Sequence, residues 1–246
     1  MTRKSFPFST PNPNNPEFLI GNSRKRLFQQ LMTTLKYSIE AQTTSFLMIL
    51  GPYGSGKTHL LQWFIRETKE TIPDLVQVYV DNPRELSFSN IAERLVDKAE
   101  ESSLGTITKR KELRPVNAIG QIIRKLSKKG YSFCLVIDEF ENAWANEDLV
   151  YKIRELIDIS PPGLLIILSA AATEFEISQI SGPLQARANQ IFLLEPFNEE
   201  DAYDLVRACA SGEVRFSEPA IRLVNSVADG IPRKNHWSFA RYSSSS

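Results

Sequence analysis

Hydrophobic residues along the chain form short, nearly unbroken runs that alternate with stretches of helical spacing. The runs predict five strands, at residues 45–50, 75–80, 133–137, 164–168 and 191–194. Strands that are apolar at almost every position are buried on both faces, as in parallel sheets that helices cover. The pattern therefore predicts an α/β fold with a parallel five-stranded sheet sandwiched by helices.

The segments between these runs repeat their apolar residues every three or four positions, which predicts helices. Helices are expected at residues 23–41, through 60–65, and near 89–100, 117–129 and 148–159. After Pro196 only helical patterns remain, with Asn198 and Ser217 as helix caps and Gly230 as a stop. We therefore expect a flexible arm over residues 1–18, a core over 19–196 and a small, short helical lid over 197–246.

Charge adds little to this picture, because 29 lysines and arginines balance 29 aspartates and glutamates. A balanced chain has no general attraction to nucleic acid, so only local patches would supply one. Basic clusters occur at residues 24–26, 109–114 and 124–129. Each alone is expected to be a solvated helix face or loop. Repeated around an assembly, they would line it with positive charge.

No part of the sequence predicts a membrane or a secretory segment. The longest purely apolar runs hold about five residues, and the Pro/Asn-rich N-terminus lacks the apolar core of a secretory signal. Cys134 and Cys209 are expected to be reduced, buried thiols, and with His59 and His236 as the only histidines no zinc site is expected. These features predict a cytoplasmic protein.

One segment carries a specific chemical signature. Residues 51–58 read Gly-Pro-Tyr-Gly-Ser-Gly-Lys-Thr and fit G-x-x-x-x-G-K-[ST] between a predicted strand and a predicted helix. The glycines let consecutive backbone N–H groups surround a phosphate, and the helix N-terminus adds a favourable partial charge. Lys57 is expected to reach the β- and γ-phosphates, and the Thr58 hydroxyl to bind Mg²⁺. The residues predicted to bind ATP or ADP here are Gly51, Pro52, Tyr53, Gly54, Ser55, Gly56, Lys57, Thr58 and His59.

Two acids follow the third predicted strand. Asp138 and Glu139 stand where a parallel strand ends, at the edge of the sheet where ligands bind in such folds. Asp138 is expected to hold Mg²⁺, directly or through water, and Glu139 to polarise the water that attacks the γ-phosphate. Phe140 and Glu141 would equally suit a surface position.

The order of these motifs resembles the AAA+ ATPases over residues 19–235. Ile20-Gly21 is similar to the segment that touches adenine in that superfamily, although many members have an arginine where this chain has Asn22. Ser169 falls at the expected end of the fourth strand, where the family has a polar residue that orients the attacking water. Thr173 is an alternative for that role, and a serine that only caps the strand is another.

The resemblance also implies two arginines with roles in catalysis. Arg187 lies in a segment that looks like the one leading into the fifth strand of the family, whose arginine reaches the neighbouring subunit's nucleotide. Gly230-Ile231-Pro232-Arg233 looks like the start of the lid helix that carries the second sensor, so Arg233 would contact the γ-phosphate. Negative charge spreads over the γ-phosphoryl oxygens in the transition state, which is why arginines suit both positions.

Within AAA+ the chain is most similar to the branch of origin-recognition initiators and transposon-encoded target-selection ATPases. The resemblance implies a slow, Mg²⁺-dependent ATPase that forms a homo-oligomeric ring or spiral with nucleotide between subunits. DNA and a protein partner are both expected. Residues 234–246 have poor amphipathic periodicity, and a natural end, a truncated lid and a shifted reading frame all fit them.

Two other functions also fit these motifs. One is a nucleotide-gated signalling or scaffold switch that holds ATP or ADP with little turnover. The other is a P-loop kinase or related phosphotransferase, which would make no use of Glu139 or of the helical C-terminal part.

Overall fold

The computed structural model describes residues 19–81, 87–101, 115–171, 182–209 and 216–232. Its strands are β1 Thr44–Gly51, β2 Leu75–Val80, β3 Ser132–Ile137, β4 Leu164–Ala171 and β5 Gln190–Leu193. Its helices are α1 Asn22–Glu40, α2 Lys57–Thr71, α3 Phe88–Glu101, α4 Pro115–Ser127, α5 Glu147–Ile159, α6 Gly182–Gln185, α7 Glu199–Cys209 and α8 Glu218–Val227. A 3₁₀ turn covers Phe140–Ala143.

The five strands form one sheet in the order β2-β3-β4-β1-β5. Strands β2 with β3, β3 with β4, and β1 with β5 pair in parallel. This sheet and its flanking helices confirm the predicted α/β fold class. Because Ile137 of β3 is level with Leu168 of β4, the residues that follow these two emerge side by side.

Burial along the strands follows their place in the sheet. The central strands β1, β3 and β4 are buried along almost their whole length, as their apolar sequences predict. The edge strands differ: β2 alternates between buried and half-buried positions, and in β5 Ile191 and Leu193 are 39% and 46% exposed. The expectation that every strand is covered on both faces is therefore wrong for β5.

Three local features depart from the sequence-based expectations. Strand β4 continues to Ala171, so Ser169 lies within the strand and not at its end. Phe140 is fully buried in the core, where a surface position had been an open alternative. Ser217 occupies the N-cap position of α8, but its side chain makes no capping hydrogen bond. Asn198 does cap α7, because its Oδ1 accepts from the Asp201 N–H at 2.9 Å.

The chain divides into two compact units. The first unit contains residues 19–29, 51–63 and the described residues from 194 onward. Its apolar cluster joins Ile20 and Phe197 to side chains of α7 and α8. The second unit contains residues 30–50 and the described residues of 64–193, with the larger core around the sheet. The predicted boundary at residue 196 stays a prediction.

Among the described residues, no helix combines the length and the hydrophobicity that crossing a membrane requires. Cys134 is fully buried in β3, as predicted, and burial raises the pKa of its thiol to about 12. The side chain of Cys209 lies outside the described part of the chain.

Candidate functional site

The phosphate loop of the first unit connects the end of β1 to the start of α2. Gly54 and Gly56 have φ values of 78° and 94°, which side chains with a Cβ rarely adopt. The Ser55 N–H donates to the Pro52 carbonyl at 3.2 Å, and the Leu60 N–H donates to the Gly56 carbonyl at 2.9 Å. The loop is thus tightly turned and runs directly into the first turn of α2, the backbone arrangement that suits an anion.

Lys57 begins α2 and is 8% exposed. Its Nζ donates to the carbonyls of Gly51 and Pro52, at 2.8 Å and 3.0 Å, and lies 6.0 Å from the centre of the Tyr53 ring. The ammonium group is therefore folded back over its own loop, and Tyr53 itself is 69% exposed. Thr58 and His59 follow in the first turn of α2 and are half-buried.

Arg24, on the first turn of α1, also belongs to this loop. It is 2% exposed, although it stands in a basic run that the sequence would place on a solvated helix face. One terminal nitrogen of its guanidinium donates to the carbonyls of Ser55 and Glu195, both at 2.8 Å. The guanidinium carbon lies 4.2 Å from the centre of the Phe197 ring, a cation–π contact. The expectation of a solvated face is wrong for Arg24, whereas Lys25 and Arg26 are exposed.

The charge of Arg24 is maintained in this buried position. Burial lowers the pKa of Arg24 to about 10, and the carboxylates of Asp201 and Glu195 act in the opposite direction. The side chain therefore stays cationic at neutral pH. Its Nε and the Ser55 hydroxyl are buried without a hydrogen-bond partner among the described residues. Buried polar groups without a partner are uncommon in proteins, and a ligand or an ordered water would supply one here.

In the second unit, Asp138 is the centre of a network of hydrogen bonds. It follows β3, is 2% exposed, and its Oδ1 accepts from the Ser169 hydroxyl at 2.5 Å and from the Glu139 N–H at 2.9 Å. Its Oδ2 accepts from the Tyr79 hydroxyl at 2.9 Å. These donors come from β2, β4 and the chain just after β3. All three are uncharged groups, and together they orient the carboxylate.

Glu139 follows with an unusual backbone conformation. Its φ of 51° and ψ of 39° place it in the left-handed region, which costs a residue with a Cβ about 1 kcal/mol. The side chain is exposed, and Asn142 Nδ2 donates to its Oε2 at 3.3 Å. Strain of this kind clusters at functional sites, and the role of Glu139 as the residue that polarises the attacking water stays a prediction.

Ser169 and Glu141 both connect β4 to the segment after β3. Ser169 is fully buried, and its hydroxyl is oriented toward Asp138. Glu141 Oε2 accepts from the Ala171 N–H at 2.9 Å, so this acid holds the end of β4 in place. The alternative sensor Thr173 lies outside the described residues.

Arg187 forms an ion pair within its own chain. Its Nε and one terminal nitrogen donate to the two carboxylate oxygens of Asp158, at 2.5 Å and 3.0 Å. The hydrogen bond to Arg187 lowers the pKa of Asp158, and the same bond raises the pKa of Arg187. The pair is partly exposed, and Arg154 also approaches Asp158 at 3.7 Å.

Two other predicted site residues lie in the first unit. Ile20 is buried against Phe197 and the α7 and α8 side chains. Gly21 has a φ of 95°, and a Cβ there would lie 2.8 Å from Arg24 Cδ and 3.0 Å from the Phe197 ring. The adenine contact predicted for both residues stays a prediction. Arg233 lies outside the described residues.

Two further residues of these hydrogen-bond networks, Tyr79 and Arg24, were not among the predicted site residues. Tyr79 lies in an ordinary apolar strand, and only the register of β2 with β3 shows that it reaches Asp138. Arg24 is one of three consecutive basic residues, and only its position around the helix distinguishes this buried residue from the two exposed ones. Its position three residues before Leu27 and seven before Leu31, on the apolar face of α1, is a signal that would have identified it.

Comparison with known families and structures gives a consistent result. The family model of ATPase_2, an ATPase domain predominantly from Archaea, matches residues 30–234. Comparison with curated proteins finds no match.

Three solved structures illustrate the similarity. The ORC2 protein of Aeropyrum pernix in its ADPNP-ADP complexes has a TM-score of 0.66 at 14% identity, over 93% of this chain and 64% of that one. A chain of Drosophila ORC bound to DNA has a TM-score of 0.66 at 15% identity, over 93% and 56%. Domain III of the Thermotoga maritima replication initiation protein DnaA has a TM-score of 0.55 at 22% identity, over 94% and 88%.

These structural likenesses establish a common fold. This chain spans less than two thirds of the two ORC chains. The family match, in contrast, extends over most of the sequence and includes the phosphate loop and the acids after β3. The chain therefore belongs to the ATPase_2 family of AAA+ ATPases, and its fold is similar to that of origin-recognition proteins.

Proposed function

We propose that this chain binds ATP with Mg²⁺, hydrolyses it slowly, and uses the nucleotide state to control its assembly into an oligomer on DNA. The observation that carries the proposal is the phosphate loop. Two glycines with positive φ lead directly into α2, and the buried Lys57 stands at the first position of that helix. Such a loop presents backbone N–H groups and one ammonium to a phosphate chain.

Each remaining site residue has a proposed role. Lys57 binds the β- and γ-phosphates, and Glu139 orients the attacking water as general base. Ser169 assists through Asp138, to which it donates a hydrogen bond. Ile20 and Gly21 contact the adenine. Arg187 and Arg233 stabilise the charge on the γ-phosphoryl group, the first from a neighbouring subunit and the second from the lid.

Thr58 and Asp138 are the proposed Mg²⁺ ligands, and their chemistry fits the ion. Hydroxyl and carboxylate oxygens are the hard donors that Mg²⁺ prefers. Asp138 accepts three hydrogen bonds, which leaves one of about four acceptor positions for the metal or for a water that binds it. Mg²⁺, when bound, neutralises the charge that develops on the phosphoryl oxygens.

Measurement of phosphate release tests the enzymatic part. We expect wild-type protein to release phosphate from ATP without any added acceptor, which a phosphotransferase would not do. Lys57→Ala and Glu139→Gln should both lose this activity, and the exposed Arg26→Met should retain it. Equal phosphate release by all four proteins would remove the ATPase from the proposal.

One observation favours the switch with little turnover as a second candidate. Arg187, which we propose to reach the nucleotide of the neighbouring subunit, donates instead to both carboxylate oxygens of Asp158 in its own chain. A subunit in this state would hold nucleotide without supplying its arginine to a neighbour. Nucleotide that copurifies with the protein, together with negligible steady-state hydrolysis, would favour this candidate.

The DNA role makes a separate prediction. With a non-hydrolysable ATP analogue at low salt, the protein should bind duplex DNA, and this binding should weaken steeply as salt is added. Absence of DNA binding under these conditions would contradict the DNA role and leave the ATPase intact.

A further inference from the structure

The Arg24 side chain joins the phosphate loop to the segment that leads into α7. Its terminal nitrogen donates to the Ser55 carbonyl in the loop and to the Glu195 carbonyl just after β5. Its other terminal nitrogen donates to the Ser23 hydroxyl at 3.1 Å. The two carbonyls are thus held by one buried cation at 2.8 Å each, and all of these groups belong to the first unit.

The contact with Ser55 affects the part of the loop that would face a phosphate. No peptide bond in the described chain is cis, so the Ser55 carbonyl and the Gly56 N–H point in opposite directions. By holding the carbonyl on its own side, Arg24 directs the Gly56 N–H away from itself. A cation at this carbonyl also polarises the peptide and strengthens its N–H as a donor.

The contacts on the other side reach the helices of the first unit. The guanidinium lies over the Phe197 ring, and the Phe197 N–H donates to the Gly230 carbonyl at 2.6 Å. The Phe197 carbonyl accepts from Asn225 Nδ2 of α8 at 3.3 Å. Asn22 is the first residue of α1, and its N–H donates to Oδ1 of Asp201 in α7 at 3.0 Å. The position of Arg24 is therefore connected to both α7 and α8.

Two glycines allow the close packing around Arg24 and Phe197. A Cβ at Gly21 would lie 2.8 Å from Arg24 Cδ, and one at Gly230 would lie 2.5 Å from the Phe197 carbonyl oxygen. Only glycine fits at these two places, because each also has a positive φ. The cluster formed by Gly21, Arg24, Ser55, Phe197 and Gly230 is a defined arrangement of close contacts, and we call it the Arg24 cluster.

We propose that Arg24 is a positioning residue that orients the Ser55–Gly56 peptide toward the phosphates and transmits occupancy of the loop to α7 and α8. This inference rests on the proposed nucleotide binding. A phosphate that draws on the Gly56 N–H also displaces the Ser55 carbonyl, and Arg24 then shifts against Glu195 and Phe197. The coupling is reciprocal, so the arrangement of α7 and α8 also changes the affinity of the loop for phosphate.

Three variants separate this role from a general contribution to folding. Arg24→Met removes the charge and the donors but keeps the length, and Arg24→Lys keeps the charge without the planar guanidinium group. Arg26→Met is the matched control, because Arg26 is exposed on the same helix. For each folded variant, the dissociation constants of ADP, tripolyphosphate and adenosine are measured by titration, and the melting temperature is measured without ligand.

We expect Arg24→Met to bind ADP and tripolyphosphate about tenfold more weakly than wild type, as loss of a charged hydrogen bond implies. Arg24→Lys should lie between the two, and Arg26→Met should equal wild type. Adenosine binding should not change, because the Ser55–Gly56 peptide faces phosphate. A purely structural role would lower the melting temperature and leave all these affinities as they are.

Hydrogen exchange of peptides from α7 and α8 tests the transmission. In wild type and Arg26→Met, a saturating ATP analogue should slow exchange in these helices, and in Arg24→Met at equal saturation this response should disappear. Equal affinities and an equal exchange response in folded Arg24→Met would overturn the inference. If Arg24→Met does not fold, the same comparison with Arg24→Lys decides. Absence of nucleotide binding by the wild type itself would instead overturn the proposed function.

Discussion

The phosphate loop and the Asp138 network hold their charged groups in different ways. The loop is a contiguous segment whose turns come mainly from local glycines and from the helix that follows. The buried Lys57 donates to carbonyls within the loop, and Arg24 of α1 is the one distant residue that donates to it in the contacts described above. Asp138 is held by side chains and a backbone N–H from three places in the sequence, which the parallel register of β2, β3 and β4 brings together. A local motif thus sets the backbone of a loop, whereas the register of a sheet orients a carboxylate.

One variant in each region tests most directly whether the phosphate loop and the Asp138 network have separate roles. Lys57→Ala should weaken ATP binding about 10- to 100-fold, because it removes the charged donor that we propose to bind the phosphates. Asp138→Ala should bind ATP in the absence of Mg²⁺ nearly as wild type does, but its phosphate release should fall about 100-fold or more. Nucleotide titration and phosphate release on the same preparations check both expectations. A loss of Mg²⁺-free binding in Asp138→Ala would contradict this separation of roles.

Removal of one donor to Asp138 should have a smaller effect. Tyr79→Phe deletes a 2.9 Å hydrogen bond to a buried carboxylate, and we expect the free energy of unfolding to fall by about 1 to 2 kcal/mol. Urea unfolding measures the change, and Tyr151→Phe on the exposed face of α5 is the control. Wild-type stability of Tyr79→Phe would show that this bond does not hold Asp138.

The backbone of Glu139 offers a further distinction between stability and turnover. Glycine adopts a φ of 51° without strain, so Glu139→Gly should be more stable than Glu139→Ala by about 0.5 to 1 kcal/mol. Both variants lack the carboxylate and should have equally low phosphate release. If Glu139→Gly unfolds at the same urea concentration as Glu139→Ala, the left-handed conformation carries no measurable strain.

The pair of Asp158 and Arg187 should give the smallest effect, because both side chains are partly exposed. Arg187 lowers the folded-state pKa of Asp158, so the pair stabilises the fold above the ordinary pKa of an aspartate. This contribution is lost as the pH falls through that lowered folded pKa. Melting temperatures of wild type and Asp158→Asn should therefore differ slightly at neutral pH and converge in acid. If the difference in melting temperature persists in acid, its cause is not the charge of Asp158.

Much of the fold was predictable because its signals are local. The strand at residues 75–80 agrees with β2 at both ends, and the other four strands were placed within three residues at each end. The helix α2 extends beyond the predicted 60–65, and the short helix α6 was not predicted. The phosphate loop was recognisable for the same reason, since eight consecutive residues carry the motif. The β4 end was misplaced because Ser169, Ala170 and Ala171 are small residues without the β-branched side chains that are typical of strands, yet the strand continues through them.

The residues that sequence reasoning missed or misjudged depend on contacts between distant segments. Arg24 stands in a basic run that is typical of a solvated helix face, but the carbonyls of Ser55 and Glu195 and the ring of Phe197 surround its side chain. Phe140 follows two acids in what reads as a polar loop, and a 3₁₀ turn directs it into the core. In both cases a neighbour far along the chain decides the burial.

The sequence by itself determined the alternation of strands and helices, the phosphate loop and the acids after β3, because hydrophobic periodicity and glycine spacing act over a few residues. Only the tertiary structure decided that Tyr79 and Ser169 orient Asp138, that Asp158 binds Arg187, and that Arg24 holds the loop. A charge or a hydroxyl group has no fixed partner in a linear chain. Strand register and helix packing bring its donors and acceptors within hydrogen-bonding distance, and that distance determines what each residue does.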